Sequence, residues 1–120
     1  MKRDNIKKGT IGEEAAVKHL KKKGYRVVER NYRTRYGEID IICKEEPALV
    51  FVEVKTKTGE RFGEPWEMVN KRKLGQIKRM ATMYLKNKRL GEPLCRIDVV
   101  GVWLDESERV EKLEHWENVM

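Results

Sequence analysis

Asp40 and the tripeptide Glu53-Val54-Lys55 are the residues of this 120-residue chain whose types and spacing could do chemistry. They lie at the centres of Gly37-Glu38-Ile39-Asp40-Ile41-Ile42 and Phe51-Val52-Glu53-Val54-Lys55-Thr56-Lys57. In both segments apolar, often β-branched residues alternate with others at the period of a strand. A charge in the middle of a core-forming strand is costly unless it is paired, exposed or bound to a metal. Two carboxylates beside a lysine are what metal-assisted phosphodiester hydrolysis needs. Hard oxygen ligands with open positions suit Mg²⁺ or Mn²⁺. Such an ion polarises the scissile phosphate and lowers the pKa of a bound water. A lysine can orient that water or neutralise charge building on the phosphate. The plainer reading is a cross-strand ion cluster in which Lys55 neutralises Asp40 and Glu53.

Strand geometry brings the two halves together. Glu53 and Lys55 share a face, about 7 Å apart along the strand. If Glu45 to Ala48 form the hairpin connection, Lys44 pairs with Leu49. The same register sets Asp40 opposite Glu53, and directly opposed Cβ atoms lie about 5 Å apart. Without a cation, two carboxylates so close repel, and one pKa rises.

The elements that must position these residues can be read along the chain. Residues 1–9 are expected to form a basic flexible arm, ahead of a single domain over 10–120. Thr10 and Glu13 have the spacing of a capping box, and the helix they open runs to about Lys23, with Gly24 as its C-cap. Tyr25–Tyr32, Glu38–Lys44 and Leu49–Lys57 read as three strands, joined by the Arg33–Gly37 turn and the hairpin. Thr58–Trp66 reads as loop, with Gly59, Gly63 and Pro65 as breakers. A helix follows from about Glu67 or Asn70 to Asn87, with Leu74, Ile77, Ala81, Tyr84 and Leu85 inward and its other face basic. After Gly91-Glu92-Pro93, Cys95–Leu104 and Arg109–Trp116 complete the order α-β-β-β-α-β-β. That order implies a mixed α/β sheet with helices packed against it.

Composition narrows the partners. Lys and Arg outnumber Asp and Glu by 27 to 20, a net charge of +7, which points to an anionic partner such as nucleic acid. Cys43 and Cys95 have no metal-ligand spacing and are expected to be reduced, buried thiols in or beside apolar strands. The first residues are charged rather than a signal peptide, and no run approaches the roughly 20 apolar residues of a membrane span. A cytoplasmic protein without membrane attachment is expected.

Asp40 with Glu53-Val54-Lys55 resembles the PD-(D/E)xK nuclease superfamily, with Ile39 where that name has proline. Gly12-Glu13, Gly24-Tyr25, Arg30-Asn31-Tyr32-Arg33, Gly37-Glu38-Ile39-Asp40 and Phe51-Val52-Glu53-Val54-Lys55 together resemble the YraN family, also called UPF0102. Phe62-Gly63-Glu64-Pro65, Lys73 and Arg96-Ile97-Asp98-Val99-Val100 extend the likeness over nearly the whole chain. The family is similar to archaeal Holliday-junction resolvases. The resemblance implies a restriction-endonuclease-like fold, Asp40, Glu53 and the Val54 carbonyl as metal ligands, and Lys55 as catalytic lysine. It adds Glu13 as a further catalytic acid and metal ligand from the first helix, beside its capping-box role. A resolvase would need two active sites and hence a homodimer.

The remaining candidates would hold nucleic acid. Arg33 and Arg35 precede Asp40, and with Tyr36 could grip a phosphate and stack on a base, or simply form a polar turn. Lys57 continues the third strand. Lys71, Lys73, Gln76 and Lys78 line the second helix, with Lys73 and Gln76 one turn apart toward the site. Glu38 reads as a surface residue or a supporting acid. Trp66 packs under the helix or contacts substrate. His19 and His115 read as surface residues, and Asp98 as a buried structural carboxylate or a support behind the site. The expected activity is metal-dependent hydrolysis of phosphodiester bonds, in DNA that includes branched or single-stranded forms. The rivals are a non-catalytic nucleic-acid-binding protein and a structural protein with an inert ion cluster.

Overall fold

Two central strands carry almost uninterrupted apolar runs, Leu49–Val52 and Ile97–Val100. Such runs suit strands covered on both faces. The computed structural model describes residues 2–59 and 69–119, with side chains from residue 6. Its elements are α1 (Lys2–Lys22), β1 (Arg26–Thr34), β2 (Gly37–Glu45), β3 (Ala48–Thr58), α2 (Lys71–Asn87), β4 (Cys95–Leu104) and β5 (Val110–Trp116). The strands form one sheet in the order β1-β2-β3-β4-β5. Among the described strands only β3 and β4 are parallel, and α2 belongs to the long crossover a parallel pair requires. The mixed α/β sheet and the order α-β-β-β-α-β-β are as expected for a restriction-endonuclease-like domain.

Each helix covers one face. Ala16, Val17 and Leu20 of α1 pack on Ile41, Cys43, Val50, Val52, Val100 and Val102. Ile77, Met80, Ala81 and Tyr84 of α2, at helical spacing, pack on Ile39, Ile42, Leu49, Phe51 and Ile97. Gly24 ends α1 at φ +93°, with the Tyr25 amide donating to the Leu20 carbonyl. Asn70 caps α2 by accepting from the Lys73 amide at 2.8 Å. The expected Glu67 start and Trp66 lie outside the described residues. The thiols of Cys43 and Cys95 are free, Cys43 buried as expected but Cys95 only half-buried at the start of β4, and burial pushes the Cys43 thiol up to about 12. No described helix is long and apolar enough to cross a membrane.

The first helix begins earlier than its sequence signals suggest. Residues 2–9 continue α1, so the segment read as an arm is helical. Thr10 is no cap: its hydroxyl donates to the Ile6 carbonyl at 3.0 Å, inside the helix. Glu13 is thereby free of a capping box. Gly12 lets α1 lie directly on β3, because a Cβ there would overlap the Thr56 side chain.

A second departure sits in β2. Ile39 and Ile41 are two residues apart, yet they pack on opposite faces, Ile41 under α1 and Ile39 under α2. The strand therefore turns over at Asp40. Its neighbour turns over with it. Asn31 adopts φ +53°, while Arg30↔Ile41 and Tyr32↔Ile39 stay in register on either side. Arg30 reaches Glu14 of α1, whereas Tyr32 packs with the α2 cluster. Asn is among the few side chains that tolerate left-handed backbone.

Away from this point, β4 and β5 hold a buried polar network. Asp98 is fully buried and accepts from Arg96 Nε at 2.9 Å, from His115 Nε2 at 2.7 Å and from the Asn118 amide at 3.0 Å. His115 Nδ1 lies 3.1 Å from His19 Nε2. The expectation of two unrelated surface histidines is corrected: β4–β5 pairing carries His115 over the end of α1, where its side chain is 3% exposed. Burial alone would raise the Asp98 pKa, but the bonds from His115, Arg96 and Asn118 outweigh it and hold the carboxyl below its usual range. Asp98 is thus a structural acid tying β5 and the C-terminal segment to the sheet.

Two outcomes follow. Because the folded pKa of Asp98 is depressed, its contribution is present above the ordinary carboxylate range and lost as pH falls through the folded value. Asp98→Asn should cost about 3 kcal/mol at pH 7, with the gap closing on acidification, as read by urea unfolding across pH. Gly12→Ala should lower stability by about 1–3 kcal/mol, since α1 must lift off Thr56. An unchanged melting temperature would contradict that close approach.

Candidate metal centre where two strands part

The β2–β3 hairpin has the register expected, with Lys44 paired to Leu49, and the ladder runs on to Ile41↔Val52. There the strands part. The Val54 amide, next in line to donate across the ladder, donates to the Asp40 carboxylate at 2.7 Å. A side chain thus replaces a backbone acceptor, and the fork so opened receives side chains from both faces.

From the α1 side comes Glu13. Carboxylate oxygens of Glu13, Glu38 and Asp40 all lie within 4.8 Å of one another, and all three residues are half-buried. Asn31, turned inward by its left-handed backbone, donates to Glu13 at 2.9 Å and to Glu38 at 2.6 Å. Glu38, read from the sequence more readily as a surface residue, belongs to this cluster. Asn31 is not legible as a site residue from the sequence; its one signal there is a short amide side chain within an otherwise extended strand.

From the α2 side comes Glu53, which is buried. Its carboxyl neighbours that of Asp40. Lys73 of α2 brings Nζ to 3.3 Å from Glu53 Oε2, yet at an angle that leaves this buried oxygen without a hydrogen bond. Burial, then the neighbouring Glu53 carboxyl and its charge, push the Asp40 carboxyl well above its usual range, against the Val54 amide, which lowers it. Nearby Glu13 pushes in the same upward direction.

Lys55 is half-buried one pleat beyond Glu53 and makes no ion pair with a described residue. It lines a cavity of about 490 Å³ with Glu13, Val54, Lys57 and Lys8. The remaining candidates divide. Arg33 is tied to Glu38 at 3.2 Å, and Lys73 to Glu53. Arg35 lies over the Tyr36 ring, 5.0 Å from its centroid. Gln76 donates to the Tyr36 carbonyl. Lys57, Lys71 and Lys78 are exposed, and Lys71 lines a second groove with Lys73 and Gln76.

The donor set fits a hard cation. Glu13, Glu38, Asp40 and Glu53 offer oxygen atoms alone, as Mg²⁺ and Mn²⁺ prefer. Their mutual repulsion and the unbonded oxygen of Glu53 are what a bound cation would relieve. The structure differs from the expected Asp40/Glu53 pair in one respect: the three closest acids include Glu38 and Glu13, with Glu53 joined through Asp40.

The mixed α/β sheet thus parts between β2 and β3 around four acids, Glu13, Glu38, Asp40 and Glu53. The chain belongs to UPF0102, an uncharacterised protein family whose model matches residues 12–102. It is 43% identical over 111 residues to a UPF0102 protein of Syntrophomonas wolfei, covering 92% of this chain and 95% of that one. A UPF0102 protein of Alkaliphilus oremlandii is 48% identical over 116 residues, 95% of this chain and 97% of its own. Another, of Moorella thermoacetica, is 46% identical over 108 residues, 90% of each.

Because the folded pKa of Asp40 is raised, its ionisation destabilises the metal-free fold as pH rises above the ordinary carboxylate range. Asp40→Asn should therefore stabilise the metal-free protein by about 1 kcal/mol at pH 8, and by less at pH 5. Thermal melts in EDTA at the two pH values check this. A variant less stable than wild type at pH 8 would contradict the repulsion.

Proposed function

We propose that this protein is a metal-dependent endonuclease that hydrolyses phosphodiester bonds in nucleic acid, with DNA as its substrate. One observation carries the reading: acids from α1, β2 and β3 converge where two strands part, beside a lysine not paired to any described residue. An inert ion cluster would be expected to balance its charges. Among the described residues, Glu13, Glu38, Asp40 and Glu53 are met by ion pairs from Lys73 and Arg33 alone, which favours an added cation. The resemblance of Asp40 with Glu53-Val54-Lys55 to the PD-(D/E)xK nucleases, and of the chain to resolvases, supports the same reading and brings branched or single-stranded DNA into view. The +7 charge suits a polyanion.

Asp40, Glu53 and Glu13 would hold Mg²⁺ or Mn²⁺, with Glu38 beside them and the Val54 carbonyl within the same fork. When bound, such an ion supplies Lewis-acid polarisation of the phosphate and an acidified water. The protein's own part is positional. The Asp40–Val54 bond fixes one carboxylate, Asn31 steers two more, and Lys73 holds Glu53 in place. Lys55, one pleat along from Glu53, is free to face the phosphate and offset charge developing there.

The test is cleavage of labelled single-stranded, duplex and four-way-junction DNA with Mg²⁺ or Mn²⁺ and with EDTA. Wild type is compared with Asp40→Ala and Lys55→Ala, purified identically and shown to be folded. Metal-dependent cleavage should fall about a hundredfold or more in each variant. Equal activity in the variants, or none in wild type, would overturn the reading in favour of a binding or structural role.

A further inference from the structure

The turn between β1 and β2 presents Tyr36, 41% exposed, at the lip of a groove of about 690 Å³ along α2. Lys71, Arg72, Lys73 and Arg79 supply four cations to the groove. An exposed ring beside a row of cations offers a surface for stacking next to a track for phosphates. This one is also held in place. Its amide donates to the Thr34 hydroxyl at 3.0 Å, and its carbonyl accepts from Gln76 of α2. Arg35 lies over the ring, 5.0 Å from its centroid, and donates to the phenol oxygen at 2.9 Å. Gly37 next to it sits at φ +143°, and a Cβ there would meet the Gln76 amide and Met80. Turn and helix are therefore fitted to one another, and the ring's position is built in.

The platform also adjoins the acids. Tyr36 is two residues before Glu38, and Lys73 both lines the groove and pairs with Glu53. A ring can stack only on a base whose face is free, and inside a duplex those faces are covered by neighbouring pairs. Aromatic stacking plus a cationic track is how proteins hold single strands without reading sequence.

We propose that this groove binds an unpaired segment of nucleic acid running from the acid cluster, with one base stacked on Tyr36 and the following phosphates on Lys71, Arg72 and Arg79. The inference rests on the nuclease reading and narrows its substrate to strands with unpaired nucleotides, such as flaps, gaps and open junctions.

The experiment is fluorescence titration in EDTA of an oligonucleotide carrying 2-aminopurine, single-stranded or in a blunt duplex, with wild type, Tyr36→Phe and Tyr36→Ala. Wild type and Tyr36→Phe should bind the single strand with equal affinity and quench the probe. Tyr36→Ala should bind it about tenfold more weakly, without quenching, while duplex binding is unchanged. Equal single-strand affinity in Tyr36→Ala, or an equal loss on duplex, would overturn the inference. Because EDTA prevents cleavage, the two readings fail separately. Stacking without Mg²⁺-dependent cleavage would sink only the nuclease. Cleavage without any effect of Tyr36→Ala on binding would sink only the platform.

Discussion

The 2.7 Å bond from the Val54 amide to the Asp40 carboxylate is the constraint on which the rest of the site depends. In a regular hairpin that amide would be answered by backbone, and the ladder would continue past Ile41↔Val52. Instead a side chain closes the ladder and opens a fork. An unanswered amide at this depth would cost about 1–3 kcal/mol, so the fork is stable only while Asp40 accepts. The same bond fixes Asp40 where Glu13, Glu38 and Glu53 can reach it.

The fork explains why acids are tolerated in a core-forming strand. Asp40 stands at the point where β2 turns over, between an isoleucine buried under α2 and another buried under α1. A residue at such a crossing belongs to neither apolar face. Asn31, across from it in β1, absorbs the turn in left-handed backbone and uses its amide on two glutamates. Gly12 lets α1 come down close enough for Glu13 to take part. The backbone irregularities and the acid cluster are thus one feature, seen in the chain and in its side chains. Strain of this kind tends to collect where a fold works rather than where it is merely held together.

What was legible in the sequence follows from which forces are local. Hairpin register is set by the loop, so Lys44↔Leu49 and the nearness of Asp40 to Glu53 could be read directly. Helix faces follow apolar spacing, so the inward residues of α2 were readable too. The turnover at Asp40 was not, because Ile39-Asp40-Ile41 looks like ordinary alternation and nothing local marks the change of face. Under regular alternation Glu38 reads as surface, whereas in the fork it joins Glu13 and Asp40. Thr10 and Glu13 have a capping-box spacing that the continuing helix overrides. His115 meets Asp98 and His19 only through the β4–β5 register and the lie of α1, contacts spanning 17 and 96 residues that no short window contains.

On the proposed reading, the acids at the fork bind a divalent cation in the folded protein. Mn²⁺ titration followed by electron paramagnetic resonance tests it without substrate or turnover. Wild type should deplete the free-ion signal at a saturable site, and Glu53→Gln and Asp40→Asn, both folded, should leave most of that signal free. Equal Mn²⁺ uptake by wild type and both variants, or no uptake by wild type, would contradict that reading and leave the cluster a structural one.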